Sequence, residues 1–131
     1  MHKNRITNEN FYDEYCFFDD YLANYLNVDE NGVAEYIKRM KEAIYEVKDV
    51  LPEWMPTIAR LEKIKNRFES LNNATTNFDD FQGKDEDVVW MRILMEKIEG
   101  GADPLTKYSK LKFTFKKRKK SLLQRFFSLF N

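Results

Sequence analysis

The clearest structural pattern lies in residues 33–51, which read VAEYIKRMKEAIYEVKDVL. Apolar residues recur there at intervals of three or four: Val33, Ile37, Met40, Ile44, Val47 and Leu51. This spacing places their side chains on one face of an α-helix and predicts a helix over residues 30–51. Asp29 is the expected N-cap, and Pro52 ends the helix because proline lacks an amide hydrogen and clashes with the preceding turn.

On the N-terminal side, a second helix is predicted over residues 8–27, with Thr7 as its N-cap. Its apolar stripe has the same spacing and consists of Phe11, Tyr15, Phe18, Leu22 and Leu26. Further aromatic residues widen this stripe, namely Tyr12, Phe17, Tyr21 and Tyr25. We interpret this aromatic face as part of the core, since a partner surface is the rarer use of such a stripe.

On the C-terminal side, a helix is predicted over residues 57–71, after the corner PEWMPT. Its apolar stripe is Ile58, Leu61, Ile64, Phe68 and Leu71. The charged side chains on its opposite side are expected to face solvent: Arg60, Glu62, Lys63, Lys65, Arg67 and Glu69.

A fourth helix is predicted over residues 85–99, where three acidic residues begin the helix and suit its positive end. Apolar residues occupy most of its positions, which predicts the most buried helix of the fold, and Gly100 and Gly101 end it. Residues 103–116 allow two interpretations, because Asp103 and Pro104 are typical of a helix start while the residues after Ser109 alternate as in a strand. We expect a helix or a short extended arm, since a lone strand has no pairing partner.

These patterns predict an all-α, single-domain antiparallel bundle of about four main helices, with a basic amphipathic C-terminal helix. The 131 residues fit one domain and contain no apolar run long enough to cross a bilayer. The N-terminal residues lack the apolar stretch of a secretory signal, and the single cysteine, Cys16, excludes an internal disulfide. We therefore expect a cytoplasmic protein.

The net charge of zero conceals a division of the chain into an acidic body, residues 1–106, and a basic tail, residues 107–131. The tail contains nine Lys or Arg and no Asp or Glu, whereas the body contains 13 basic and 22 acidic residues, a net charge of −9. The body repels nucleic acid and anionic membranes, and the tail attracts both. The alternative is that the tail folds back onto its own acidic body.

Catalytic and metal-binding patterns are weak. The only histidine is His2, next to the initiator methionine, which is a poor position for a catalytic imidazole. The segment NVDENG, residues 27–32, resembles half of a calcium loop, but Lys38 stands where a bidentate carboxylate is required. Five carboxylates in residues 79–87 are better explained by helix-dipole complementation than by catalysis. We predict no catalytic residue, metal or cofactor, and a non-enzymatic protein.

The tail ends in KKRKKSLLQRFFSLFN, residues 116–131, and carries the predicted binding residues. On a helical wheel, six apolar side chains fill an arc of about 160°: Leu122, Leu123, Phe126, Phe127, Leu129 and Phe130. The cations expected to contact an anionic surface are Lys116, Lys117, Arg118, Lys119, Lys120 and Arg125. A ten-residue helix is about 15 Å long, so it can lie in a membrane interface but cannot span the bilayer.

This combination of cations and a Phe/Leu face resembles the C-terminal membrane-targeting helices of bacterial MinD- and FtsA-type proteins. Three other interpretations use the same residues. The helix could dock on the bundle, or contact nucleic acid through its basic run. It could also bind a protein partner, since residues 126–130 resemble the sliding-clamp pentapeptide in their last three positions.

The functional expectation is a binding or adaptor protein whose body engages a protein partner and whose tail recruits it to the inner face of the membrane. The alternative is a regulatory or toxin-neutralising protein, similar to immunity or anti-defence proteins, whose acidic surface blocks a basic target. Nucleic-acid binding is expected only through the tail.

Overall fold

The computed structural model describes residues 2–47, 49–72 and 85–111, and this part of the chain contains helices and no strand. The helices are α1 (His2–Leu26), α2 (Gly32–Glu42), α3 (Ile44–Val47), α4 (Trp54–Asn72) and α5 (Asp85–Glu99). Residues 104–111 form a further helix, α6. The all-α prediction is confirmed, and the bounds predicted for α5 agree with the structure.

The core is built from the apolar stripes that the sequence predicts on α1, α2 and α4, joined by one face of α5. Its largest fully buried side chains are Trp54, Tyr36, Phe11, Phe18, Leu22, Met40, Leu61, Ile64, Leu71 and Met91. The prediction that residues 85–99 form the most buried helix is wrong, because eight of its 15 residues are exposed, against three of the 11 residues of α2. The exposed residues of α5 include Val89, at 53%, and Ile93, at 44%. An apolar composition does not determine how many neighbouring helices are available to cover it.

The long helix predicted over residues 30–51 is interrupted after Glu42. The amide of Ala43 donates to the carbonyl of Met40 at 3.3 Å, and the indole nitrogen of Trp54 donates to that same carbonyl at 2.7 Å. In a continuous helix, the Met40 carbonyl would accept from the residue four positions later. The break therefore satisfies the buried Trp54 side chain and turns the chain toward α4.

The start of α2 differs from the predicted cap at Asp29. Asn31 is the N-cap residue, has left-handed backbone angles and makes no side-chain cap hydrogen bond. Instead the Val33 amide donates to Oδ1 of Asp19, on α1, at 2.9 Å. A side chain of the neighbouring helix α1 therefore accepts the hydrogen bond of a first-turn amide, for which a local capping residue was predicted.

Helix α4 begins at Trp54, three residues before the predicted start at Thr57. Pro56 lies in its first turn, where an amide hydrogen has no intrahelical acceptor and proline is tolerated. Proline therefore does not delay the helix here.

Helices α1 and α5 run in the same direction. Glu14 pairs with Arg92, and seven residues further along both helices Tyr21 donates a hydrogen bond to Glu99. Short connections favour antiparallel neighbours, but α1 and α5 are separated in the chain by α2, α3 and α4, so connection length does not constrain this pair.

Residues 104–111 are helical, so the strand interpretation does not apply to 110 and 111, and residues 112–116 lie outside the described chain. Helix α6 runs across residues 106 and 107, the boundary between the acidic body and the basic tail.

Candidate functional site

The sequence-predicted binding residues all lie beyond residue 111, outside the part of the chain that the structure describes. They are Lys116, Lys117, Arg118, Lys119, Lys120, Leu122, Leu123, Arg125, Phe126, Phe127, Leu129 and Phe130. The described residues show two features that bear on this segment. One is the attachment of α6, which contains the first residues of the tail, and the other is a surface between α1 and α5.

The start of α6 is held by a buried Tyr36–Asp103 hydrogen bond. The Tyr36 hydroxyl donates to Oδ2 of Asp103 at 2.6 Å and accepts from the amide of Leu105 at 3.3 Å. The same Asp103 oxygen accepts from the Thr106 amide at 3.4 Å, which is an N-cap contact. The predicted helix start at Asp103 and Pro104 is thereby confirmed, and a side chain of α2 fixes it.

The following turns of α6 contact α3, α4 and the end of α5. Tyr108 packs edge-on against Trp54 with ring centroids 5.7 Å apart, and its hydroxyl donates to Glu46. Lys107 pairs with Glu53 at 2.9 Å, and the Lys110 ammonium donates to the carbonyl of Gly101 at 3.1 Å. The first residues of the tail, 107–111, therefore lie in a helix that is packed against the body.

Several tyrosines have a raised pKa because the folded chain disfavours their ionised form. Burial, followed by the neighbouring Asp103, raises the pKa of Tyr36. Burial, followed by the charge of Asp19, raises the pKa of Tyr15. Desolvation and the hydrogen bond to Glu99 raise the pKa of Tyr21 to about 12.

We expect the folded chain to lose stability as pH rises above about 10, the pKa of tyrosine in an unfolded chain. The unfolded chain then releases phenolic protons that the folded chain retains, which favours unfolding. Each such group contributes up to about 1.4 kcal/mol per pH unit until its folded-state pKa is reached. Urea unfolding between pH 8 and pH 11.5 measures this slope, and Tyr15→Phe should reduce it. An unchanged slope in that variant would contradict the assignment.

A shallow groove lies between the parallel helices, and we call it the α1–α5 furrow. It consists of two adjoining hollows lined by Asn10, Asp13, Glu14, Phe17 and Tyr21 of α1 and by Asp85, Val88, Val89, Arg92, Met95, Glu96 and Glu99 of α5. Phe17 borders both hollows and is 61% exposed. The Arg92 guanidinium contacts the two Glu14 carboxylate oxygens at 3.1 and 3.3 Å, where the hollows meet.

The furrow changes the interpretation of the aromatic face of α1. Phe11, Tyr15 and Phe18 are buried as predicted, whereas Phe17 faces outward. Helical spacing shows that Phe17 lies at the edge of the stripe, but it does not show whether a neighbouring helix covers that edge.

The acidic segment 79–87 contributes a buried ion pair. Asp87 is fully buried, and its two oxygens accept from Arg60, at 2.9 Å, and from Arg67. The prediction that these two arginines lie on a solvated face is therefore wrong, because α5 packs close enough for both to reach Asp87. Both oxygens of this carboxylate are occupied, and Asp79 and Asp80 lie outside the described residues. Among residues 2–47, 49–72 and 85–111, no group of three or more His, Cys, Asp or Glu is positioned to hold a metal ion.

Three acidic residues make contacts that were not predicted from the sequence. Asp19 caps α2, Asp87 pairs with two arginines, and Asp103 accepts a hydrogen bond from Tyr36. Only Asp103 carried a sequence signal, since it precedes a proline at a helix start. The other two use partners at least 14 residues away, which no local pattern indicates.

The described chain is thus an all-α domain that ends in an anchored helix and carries an acidic furrow on its surface. The chain belongs to a protein family of unknown function, DUF6548, whose model matches residues 9–125. No curated protein and no solved structure matches the chain. None of the described helices combines the length and apolar character needed to cross a membrane.

Proposed function

We propose that this protein is a non-enzymatic adaptor that binds a protein partner through its acidic body and is recruited to an anionic membrane surface by its tail. The cellular location would be the cytoplasm, with peripheral attachment to the inner face of the membrane. The observation that carries the proposal is the division of charge into −9 and +9, together with the amphipathic wheel of residues 121–130.

The energetics of the tail favour reversible attachment. Each Lys or Arg near an anionic leaflet contributes about 1 kcal/mol, and six cations are available in residues 116–125. Full burial of a Leu or Phe side chain contributes roughly 1.5–3 kcal/mol, of which an interface supplies only a part. Fixing the backbone of each tail residue costs about 1–2 kcal/mol of conformational entropy, which opposes the charge and burial contributions. Opposing terms of similar size favour binding that responds to lipid charge and salt.

The attachment of α6 supports a role for the body at the surface. The contacts of Tyr108 and Lys107 hold the last described helix against α3 and α4. A tail that binds lipid would therefore keep the body close to the membrane. The acidic body is itself repelled by anionic lipid, which leaves its surface available to a protein partner.

A chain that ends at Phe115 is expected to lose at least about tenfold in apparent affinity for vesicles of acidic lipid, because it lacks six cations and the whole apolar face. Co-sedimentation of the full chain and the shortened chain measures this difference. A full-length Phe126→Ser, Phe127→Ser variant separates the two contributions, since it retains every cation.

Vesicles of neutral lipid and a series of salt concentrations are the controls. Binding should weaken with neutral vesicles, because they do not attract the cations, and with rising salt, because salt screens exposed charges. Equal binding of the full and shortened chains to acidic vesicles would refute the proposed recruitment.

A further inference from the structure

The α1–α5 furrow combines an exposed apolar floor with an acidic rim. Phe17 of α1 and Val89 of α5 border the groove between these two packed helices, yet they are 61% and 53% exposed. Among the described residues, the charged side chains that border the furrow are Asp13, Glu14, Asp85, Glu96, Glu99 and one cation, Arg92. Because Arg92 is paired with Glu14, four carboxylates remain without a balancing cation among these described residues, a charge that suits a cationic ligand with an apolar face.

We propose that residues 121–130 of the same chain dock in the α1–α5 furrow as an amphipathic helix, which residues 112–120 connect to α6, and that this helix leaves the furrow to bind the membrane. The docking itself depends only on the furrow and the tail. The exchange with lipid rests on the proposed function above.

Charge and polarity of the two surfaces are complementary. The six apolar side chains of residues 121–130 share one arc of the helical wheel and fit a floor that contains Phe17, Val89 and Met95. The five consecutive cations of residues 116–120 would lie near the acidic rim. Such pairing in a partly apolar groove is how amphipathic helices are recognised by helical proteins.

The lengths also agree. Residues 10–21 of α1 border the furrow and rise by about 17 Å, at 1.5 Å per residue. A helix over residues 121–130 is about 15 Å long, which matches the furrow but not a bilayer.

The place where the described chain ends is close to one end of the furrow. Lys110 contacts Gly101, which is two residues after Glu99 at the α5 border of the furrow. On the other helix, α1, Tyr25 lies one turn beyond Tyr21 and is hydrogen-bonded to Thr106 of α6. Residues 112–120 can extend over as much as roughly 30 Å, so residue 121 can reach the furrow without unfolding α6.

Docking in the furrow and insertion into lipid use the same phenylalanine face, so they exclude each other. The apparent membrane affinity of the full chain is then reduced in proportion to the fraction of molecules whose tail is free. A basic surface that competes for the furrow, such as a partner protein, would release the tail and increase membrane binding.

Site-specific photo-crosslinking tests the docking directly. The photoreactive residue p-benzoylphenylalanine replaces Phe127 in the full chain, which is irradiated at low concentration without vesicles. We expect monomeric products in which position 127 is joined to peptides from residues 9–21 or 85–99. The same probe at Ser128, on the polar face of the wheel, is the matched control and should label these peptides less. Products joined elsewhere on the body, products linking two copies, or no products at all would each overturn the docking.

Vesicle binding tests the competition. Phe17→Ser removes an exposed ring from the furrow, and we expect it to raise the apparent affinity of the full chain for acidic vesicles by at least about threefold, as the free-tail fraction rises. Tyr45→Ser, which removes an aromatic ring that is 86% exposed on α3, is the control and should leave the affinity unchanged. Equal affinities of the Phe17→Ser variant and the unchanged chain would refute the competition.

The two experiments separate the two proposals. Crosslinking to the furrow without any vesicle binding would retain the docking and reject membrane recruitment. Vesicle binding without crosslinking to the furrow would reject the docking and retain the recruitment.

Discussion

Replacing Gly32 with alanine is expected to lower the free energy of unfolding by about 3 kcal/mol or more, because the added methyl group has no space. A Cβ at this position would lie 2.2 Å from the backbone nitrogen of Ala23 and 2.3 Å from the carbonyl oxygen of Asp19. Both atoms belong to the backbone of α1, so a side-chain rotation cannot relieve the overlap. The helices α1 and α2 would have to separate.

The intrinsic helix preference of alanine acts in the opposite direction but is worth only about 1 kcal/mol. Separation would also weaken the hydrogen bond from the Val33 amide to Asp19, which depends on the close approach of the two helices. Urea unfolding followed by circular dichroism measures the effect as a lowered midpoint.

Gly100→Ala is the matched control for this substitution. The nearest atom to a Cβ at Gly100 is 3.6 Å away, which is an ordinary van der Waals distance. We therefore expect this variant to change the free energy of unfolding by less than about 1 kcal/mol. Similar losses in both variants would show that the effect at Gly32 does not arise from crowding between α1 and α2.

The second large effect is expected for Asp87→Asn, which should lower the free energy of unfolding by about 2–3 kcal/mol. The substitution keeps the shape of the side chain but removes the charge that faces Arg60 and Arg67. These arginine side chains are 32% and 18% exposed, so water compensates part of the loss. We therefore expect a smaller loss than for an ion pair in which every partner is buried.

Asp85→Asn provides the control, because Asp85 lies in the same first turn of α5 and is exposed. Both substitutions remove a negative charge near the positive end of the helix, a contribution of about 0.3–1 kcal/mol. The difference between the two variants therefore measures the arginine contacts. If both variants lose the same amount, Asp87 stabilises the fold only through the helix dipole.

The secondary structure of most of the described chain can be predicted from the sequence, because helical spacing of apolar residues is a local property. The interval of three or four places Phe11, Phe18 and Leu22 on one face, and these residues are buried in α1. Gly100 and Gly101 mark the end of α5 at Glu99 in the same way. The division of charge between body and tail also follows from the order of residues alone.

The packing of the helices controls which edges of those faces are covered and which distant groups are in contact. The break after Glu42 depends on Trp54 reaching the carbonyl of Met40, and the burial of Asp87 depends on the approach of two arginines from α4. The parallel packing of α1 and α5 leaves Phe17 exposed between them. These features arise from contacts between residues far apart in the chain, whereas periodicity reports only on neighbours within a few helical turns.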